Sequence, residues 1–204
     1  MALPKLESFT NTDGTDLEVH DANWQSENGT LEINTNRCYS LTNTSDRTIY
    51  SWQGDTFADN QYVQGVLTDD NSNGSVYSGI NLRVVGTTGY CIVINTGTDL
   101  SLFQEFSSAA SAGHVTKSTF THTTGNTIRI EADGTSLSAL VNGSSTGAPT
   151  GFTDATYASG AAGIHMRRSD TEMTVDDWEG GDLSAPPAST FQPAWAMNSN
   201  VVIQ

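Results

Sequence analysis

The chain has 204 residues and carries 23 Asp and Glu against 8 Lys and Arg, a formal net charge of −15. That length suits one domain, because β-sandwiches run undivided to about 200–250 residues, and a core of that size needs no metal or disulfide staple. The charge repels phosphate backbones and anionic headgroups, which excludes nucleic acid as a partner and leaves proteins and neutral glycans. No apolar run approaches the ~18 residues of a membrane span, which argues against insertion. Met1–Glu7 lacks the basic and apolar regions of a secretory signal, which predicts synthesis in a cytoplasm.

Short segments closed by turn signals follow one another along the chain. Lys5–Phe9 is the first predicted strand, followed by the turn Asp13-Gly14. Thr30–Asn34 comes after Asn28-Gly29, and Thr48–Trp52 follows it. Gln61–Asp69 runs into a turn at Asn73-Gly74. Tyr77–Val85 then alternates, with Ile80, Leu82 and Val84 on one face and Asn81 and Arg83 on the other. Tyr90–Asn95 is apolar on both faces, which places it centrally, under a second layer or a covering loop. Leu100–Phe106 follows, then Ser107–Gly113, a stretch of Ser, Ala and Gly too short for a helix. Thr127–Asp133 and Thr135–Asn142 flank Asp133-Gly134. A two-residue type I′ turn there pairs Ala132 with Thr135, Ile130 with Leu137 and Ile128 with Ala139, all apolar on one side. Gly163–Arg167 and Glu172–Trp178 close the series. The prediction is an all-β, antiparallel two-sheet sandwich over residues 1–183.

The composition changes after Gly181. Residues 184–190 (SAPPAST) read as a linker, and 191–204 (FQPAWAMNSNVVIQ) as an extended tail that turns apolar again. Phe191, Trp195, Met197, Val201, Val202 and Ile203 make that tail a candidate docking arm for other proteins or for copies of the chain itself. Cys38 and Cys91 are too few for a disulfide scaffold and sit in strand-like segments, so two buried thiols are expected rather than a bridge.

Together the segments resemble the LamG-like branch of the concanavalin A-like lectin/glucanase superfamily, a jelly roll. The resemblance rests on Phe9, Asp13-Gly14-Thr15, His20 and Trp24 at the start. It continues through "QYVQGVL" at 61–67, "YSGINLRVVGTTGYCIVIN" at 77–95 and "NTIRIEADGTSLSALVNG" at 126–143, and ends in "GAAGIHM" and "MTVDDWEGGDL". The style is similar to versions carried by bacteriophages and environmental viral genomes. It implies a non-catalytic virion protein, a capsid decoration or a fibre or tail-associated sandwich docked on other virion proteins. The alternative is a carbohydrate-binding or adhesin module that meets cell-surface glycans. A glycosidase with an unrecognised site is the remote one.

The chemistry favours binding over catalysis. Glycoside hydrolysis needs two flanking carboxylates, and glucanase relatives carry an E-x-D-x-x-E or E-x-D-x-E strand. Neither pattern is present, and Glu172, Asp176, Asp177 and Glu179 read as solvated acids of the closing strand. His20, His114, His122 and His165 have no zinc-like spacing. Asp69, Asn71 and Asn73 before Gly74 look like the start of a calcium loop, without the acid expected at its twelfth position; Asn11, Asp13 and Asp16 form a second loose cluster. Four N-x-[ST] sequons begin at Asn28, Asn43, Asn73 and Asn142, three of them explained by Asn-Gly turns. For a glycan platform the candidates are Trp52, Tyr50 and Tyr62, with Trp24 and Tyr77 also available.

Overall fold

Alternation along each strand leaves one dry face, and two sheets close those faces on each other. The structure is a computed structural model that describes residues 3–41, 46–69, 76–95, 100–145, 151–167 and 173–183. Its strands are β1 (Lys5–Glu7), β2 (Thr15–Asp16), β3 (Trp24–Asn28), β4 (Leu31–Asn34), β5 (Arg37–Ser40), β6 (Arg47–Trp52), β7 (Gln61–Asp69), β8 (Tyr77–Val85) and β9 (Thr88–Asn95). They continue as β10 (Leu100–Phe106), β11 (His114–Thr121), β12 (Thr127–Asp133), β13 (Ser136–Val141), β14 (Ser144–Ser145), β15 (Phe152–Thr153), β16 (Ala161–Arg167) and β17 (Met173–Asp182). One turn of helix, α1 (Leu17–His20), and a short 3-10 turn at Ser111–Gly113 are the helical pieces among the described residues.

A ten-stranded sheet runs β14-β13-β12-β7-β17-β5-β4-β2, with β1 added to β17 and β15 to β13. A seven-stranded sheet runs β11-β10-β9-β8-β16-β6-β3. Every strand pairing is antiparallel. Ile80, Leu82, Ile92, Ile94 and Ile164 of the seven-stranded sheet meet Val63, Leu67, Ile128, Ile130, Leu137 and Val175 of the other. The expected two-sheet sandwich is what forms. Strand β9 is apolar on both faces for the expected reason. Tyr90, Ile92 and Ile94 enter the main core, while Cys91 and Val93 join Ile49, Val84 and Phe106 in a second apolar layer on the outer side. The segment Ser107–Gly113 covers that layer, with Ala109 packed on it and the Ala109 carbonyl accepting from Arg47 N at 2.8 Å. Cys38 and Cys91 are free and buried, one in each layer.

The hairpin between β12 and β13 corrects one expectation. Asp133 pairs with Ser136, Ala132 with Leu137, Ile130 with Ala139 and Ile128 with Val141, so the loop is Gly134-Thr135. Gly134 has φ +56° and Thr135 has no positive φ, the sign pattern of type II′ rather than I′. The shift is an even number of residues, so the apolar face is unchanged although every partner differs. The I′ pattern occurs instead at Asn142-Gly143, with φ of +50° and +75°, and at Thr35-Asn36, with +50° and +58°.

At the centre of the core, Trp24, Trp52 and Trp178 pack together. Trp178 lies 4.8 Å from Trp24 and 6.4 Å from Trp52, centroid to centroid, and the Trp178 Nε1 donates to the Gly163 carbonyl at 3.0 Å. Strand β17 can place both Val175 and Trp178 inside because it carries one extra residue. Asp176 pairs with Val66 and Glu179 with Gln64, so three steps on β17 match two on β7. Asp177, at φ +45°, takes up the bulge.

Two pairs of variants check these features by thermal or urea melts. A Cβ at Gly134 would meet nothing within 4 Å, so Gly134→Val should cost backbone strain alone, about 1–3 kcal/mol. Thr35 is a β-branched residue in the left-handed region, so Thr35→Asn should gain about 1 kcal/mol. An unchanged melting point in both would sink the turn assignments. Deleting Asp177 should remove the bulge, turn Trp178 toward solvent and cost about 3–5 kcal/mol. Asp177→Gly should stay within about 1 kcal/mol of the parent. Equal effects of deletion and replacement would show that the bulge does not position Trp178.

Candidate functional site

The outer face of the ten-stranded sheet carries rows of side chains set by register. Glu131, Tyr62 and Gly181 share one row; Arg129, Gln64, Glu179 and Leu6 the next; Thr127, Val66 and Asp176 a third. The bulge at Asp177 turns Glu179 outward while Trp178 goes in.

A connected polar network follows. The Arg129 guanidinium lies 3.6 Å from the Tyr62 ring centroid, its Nε donates to Glu131 Oε1 at 2.7 Å, and its Nη1 reaches Gln64 Oε1 at 3.4 Å. Gln64 Nε2 donates to Glu179 Oε2 at 3.0 Å, and the Tyr62 hydroxyl donates to Glu179 Oε1. Burial, reinforced by the Glu179 carboxylate, pushes the Tyr62 phenol up to about 12, so it remains a donor at neutral pH. Gly181 lies against the Tyr62 ring, where a Cβ would come within 2.8 Å of it.

Beside this network opens a cleft of about 370 Å³ that includes Leu6, Gln64, Val66, Thr127, Asp177 and Glu179 in its lining. Leu6 is 67% exposed at its rim. A second cleft of about 340 Å³ borders Tyr62 beside Leu3, Pro4 and Asp182. Apolar patches for C–H faces, with amide, hydroxyl and carboxylate groups for hydroxyls, make up the chemistry of a sugar-binding surface.

The predicted platform residues are placed differently from expectation. Trp52 and Tyr50 are 0% and 1% exposed, because they sit two apart on β6 and share its inner face. Trp52 joins the tryptophan cluster and donates from Nε1 to Asp55 Oδ2 at 3.1 Å, while the Tyr50 hydroxyl accepts from Leu31 N at 3.4 Å. Trp24 is buried too. Tyr62 alone of the three reaches the site, with its ring held between Gly181 and Arg129 and no face left for a sugar. Of the calcium candidates, Asn71 and Asn73 and the side chain of Asp69 lie outside the described residues, as do the linker and the docking arm Phe191, Trp195, Met197, Val201, Val202 and Ile203. Among the described residues no group of three or more His, Cys, Asp or Glu could hold a metal. In the second cluster, Asp13 accepts from Thr35 N at 2.7 Å and Asp16 caps α1 through Glu18 N at 2.8 Å. The histidines are not all isolated: His20 contacts Glu7 at 3.0 Å, and His114 meets His165 at 3.1 Å.

Gln64, Arg129, Glu131 and Glu179 were not singled out for the site by sequence. Arg129 and Glu131 were legible as the polar face of their hairpin, but Gln64 and Glu179 lie 115 residues apart and no spacing joins them.

No family model and no curated protein matches the sequence. Solved structures do match in shape. The CBM66 carbohydrate-binding module of Bacillus subtilis superposes with a TM-score of 0.58 at 13% identity, over 78% of this chain and 92% of that one. The transglycosylase Crh5 in complex with NAG gives 0.60 at 12%, over 91% and 86%. The exoplasmic/lumenal domain of VIP36 in its Ca2+/Man3GlcNAc-bound form gives 0.55 at 7%, over 92% and 93%. At such identities the likeness concerns the fold, and the fold is a concanavalin A-like jelly-roll β-sandwich.

Proposed function

We propose that the protein binds a neutral glycan in the cleft on the outer face of the ten-stranded sheet and does not cleave it. The observation that carries this reading is the row Arg129–Gln64–Glu179, which sets donors and acceptors beside an apolar rim at Leu6 and Val66. That CBM66 and VIP36 share the fold supports the reading at the level of the scaffold. The scaffold serves binders and transglycosylases alike. Binding without turnover is favoured because the chain has no E-x-D-x-x-E or E-x-D-x-E strand to set two carboxylates on either side of a glycosidic bond. A virion component docked through residues 191–204 draws no support from the fold or its neighbours, and the glycan reading takes its place as the leading one.

The experiment is a neutral-glycan array followed by titration calorimetry on the full chain. One neutral oligosaccharide class should bind and release no reducing ends. Glu179→Gln and Gln64→Ala should each weaken it roughly tenfold or more, the worth of a hydrogen bond that involves a charged group, with melting points within a few degrees of the parent. Silence across the array, or affinity that survives both substitutions, would remove the cleft from consideration. Sugar release abolished by Glu179→Gln would make the site catalytic.

A further inference from the structure

The outer face of the seven-stranded sheet gathers cationic side chains in a chain whose formal net charge is −15. Arg47 on β6 stands directly opposite Arg167 on β16, which in turn pairs with Tyr77 on β8. Both guanidinium groups lie over the Tyr77 ring, 4.4 and 5.5 Å from its centroid. Like charges directly opposite each other on neighbouring strands repel. Close by, His114 and His165 touch through their Nε2 atoms at 3.1 Å, and Phe106 packs on both, 5.6 and 4.8 Å between centroids.

The hydrogen bonding of this cluster is incomplete. Arg47 is 3% exposed, and its Nε and Nη1 meet no acceptor; His165 is 0% exposed, and its Nδ1 has no partner. Each of the two bidentate edges of a guanidinium includes one of those arginine nitrogens, so neither edge is filled. Burial lowers the Arg47 pKa to about 10, which leaves it charged at neutrality. Burial, with the Arg47 charge adding to it, lowers His114 to about 4, and His165 is lowered by burial, His114 and Arg47. Arg47 therefore holds a fixed, buried positive charge beside neutral imidazoles, and a buried charge whose hydrogen bonds are unfilled is costly.

We propose that this cluster is an anion site that takes one small oxyanion, a carboxylate, sulfate or phosphate group, at the unfilled Arg47 nitrogens beside Arg167. Half-buried Arg167, His114 and Tyr77 mark where the cluster meets solvent. The depth of Arg47 admits a small group only, and the overall charge repels polyanions such as nucleic acids. The bound oxygens accept from the orphaned Arg47 Nε and Nη1. The site lies on the opposite sheet from the glycan cleft, and neither reading depends on the other.

The test follows the melting temperature of the full chain in sulfate, phosphate and acetate against sodium chloride at matched ionic strength. A saturating preferred anion should raise the parent by about 5 °C or more beyond chloride, and calorimetry should give a one-site isotherm. The ranking of the three anions separates a carboxylate site from a tetrahedral one. Arg47→Met should abolish the specific rise. The same rise in parent and variant would be a general salt effect and would overturn the proposal. So would a parent indifferent to all three anions together with an Arg47→Met variant more stable than it. Should Arg47→Met fail to fold, Arg167→Gln at the rim is read instead: a lost rise supports the site and an unchanged rise ends it.

Discussion

Much of this molecule depends on one extra residue in β17. A strand of period two cannot send both Val175 and Trp178 inward, since they are an odd number of steps apart. The bulge at Asp177 supplies the missing step, and its consequences run both ways through the sheet. Inward, Trp178 completes the packing of Trp24 and Trp52 and spends its indole hydrogen on the Gly163 carbonyl across the sandwich. Outward, Glu179 arrives beside Gln64 and Tyr62 instead of facing the core. The bulge also lies where β17 changes partners. Val175 pairs with Cys38 of β5 before it, and Trp178, Glu179 and Gly180 pair with Glu7, Leu6 and Lys5 of β1 after it. A packing demand in the core and the geometry of the cleft are thus met by the same irregularity, which is a common place for a bulge to sit.

How far the sequence could be read follows from the range of each signal. Alternation identified most strands, and the bounds of Gln61–Asp69, Tyr77–Val85, Leu100–Phe106 and Thr127–Asp133 match those observed. The face expected for Val84 does not hold, because an irregularity at Arg83, φ +52°, turns Val84 away from Ile80 and Leu82 into the outer layer. Polar or very short strands escaped alternation. The edge strand β11 has Thr, Lys and Ser where a central strand has Val and Ile, and β2, β14 and β15 have two residues each. Register needed more than alternation. Asp133-Gly134 and Gly134-Thr135 are both plausible hairpin loops and give the same buried face. Contacts from far along the chain accompany the second: Asn60 bonds both Asp133 and Gly134 N, and Arg83 donates to the Gly134 carbonyl. None of these partners lies in the hairpin itself.

The site was less legible for a related reason. Aromatic residues suggested a platform, but on β6 they share the face with which the sheet is sealed, and exposure depends on which face a neighbouring sheet takes. Tyr62 points outward as a platform would, then loses its ring faces to Arg129 and Gly181, which come from strands on either side of β7. His114 and His165 show the same limit: 51 residues separate them, and only the covering segment before β11 brings the first over the second. Constellations of this kind are properties of strand order, which a local pattern does not contain.

The two outer faces differ in a way that bears on what each can bind. On the ten-stranded sheet the polar groups answer one another: Arg129 with Glu131, Gln64 and Tyr62, and Glu179 with Tyr62 and Gln64. A network satisfied in this way is rigid before a ligand arrives, and it can trade bound water for sugar hydroxyls at little cost in ordering. Selectivity there comes from shape and from the placing of donors, which suits a neutral ligand. On the seven-stranded sheet one buried charge is not satisfied: Arg47 keeps two nitrogens unfilled and stands opposite a second arginine. Water at the rim cannot neutralise that charge, whereas an oxyanion supplies acceptors and a negative charge together. The same fold thus carries one face prepared to exchange hydrogen bonds and, on the other, a buried arginine with nitrogens unfilled, and the second makes the stronger physical demand for a ligand.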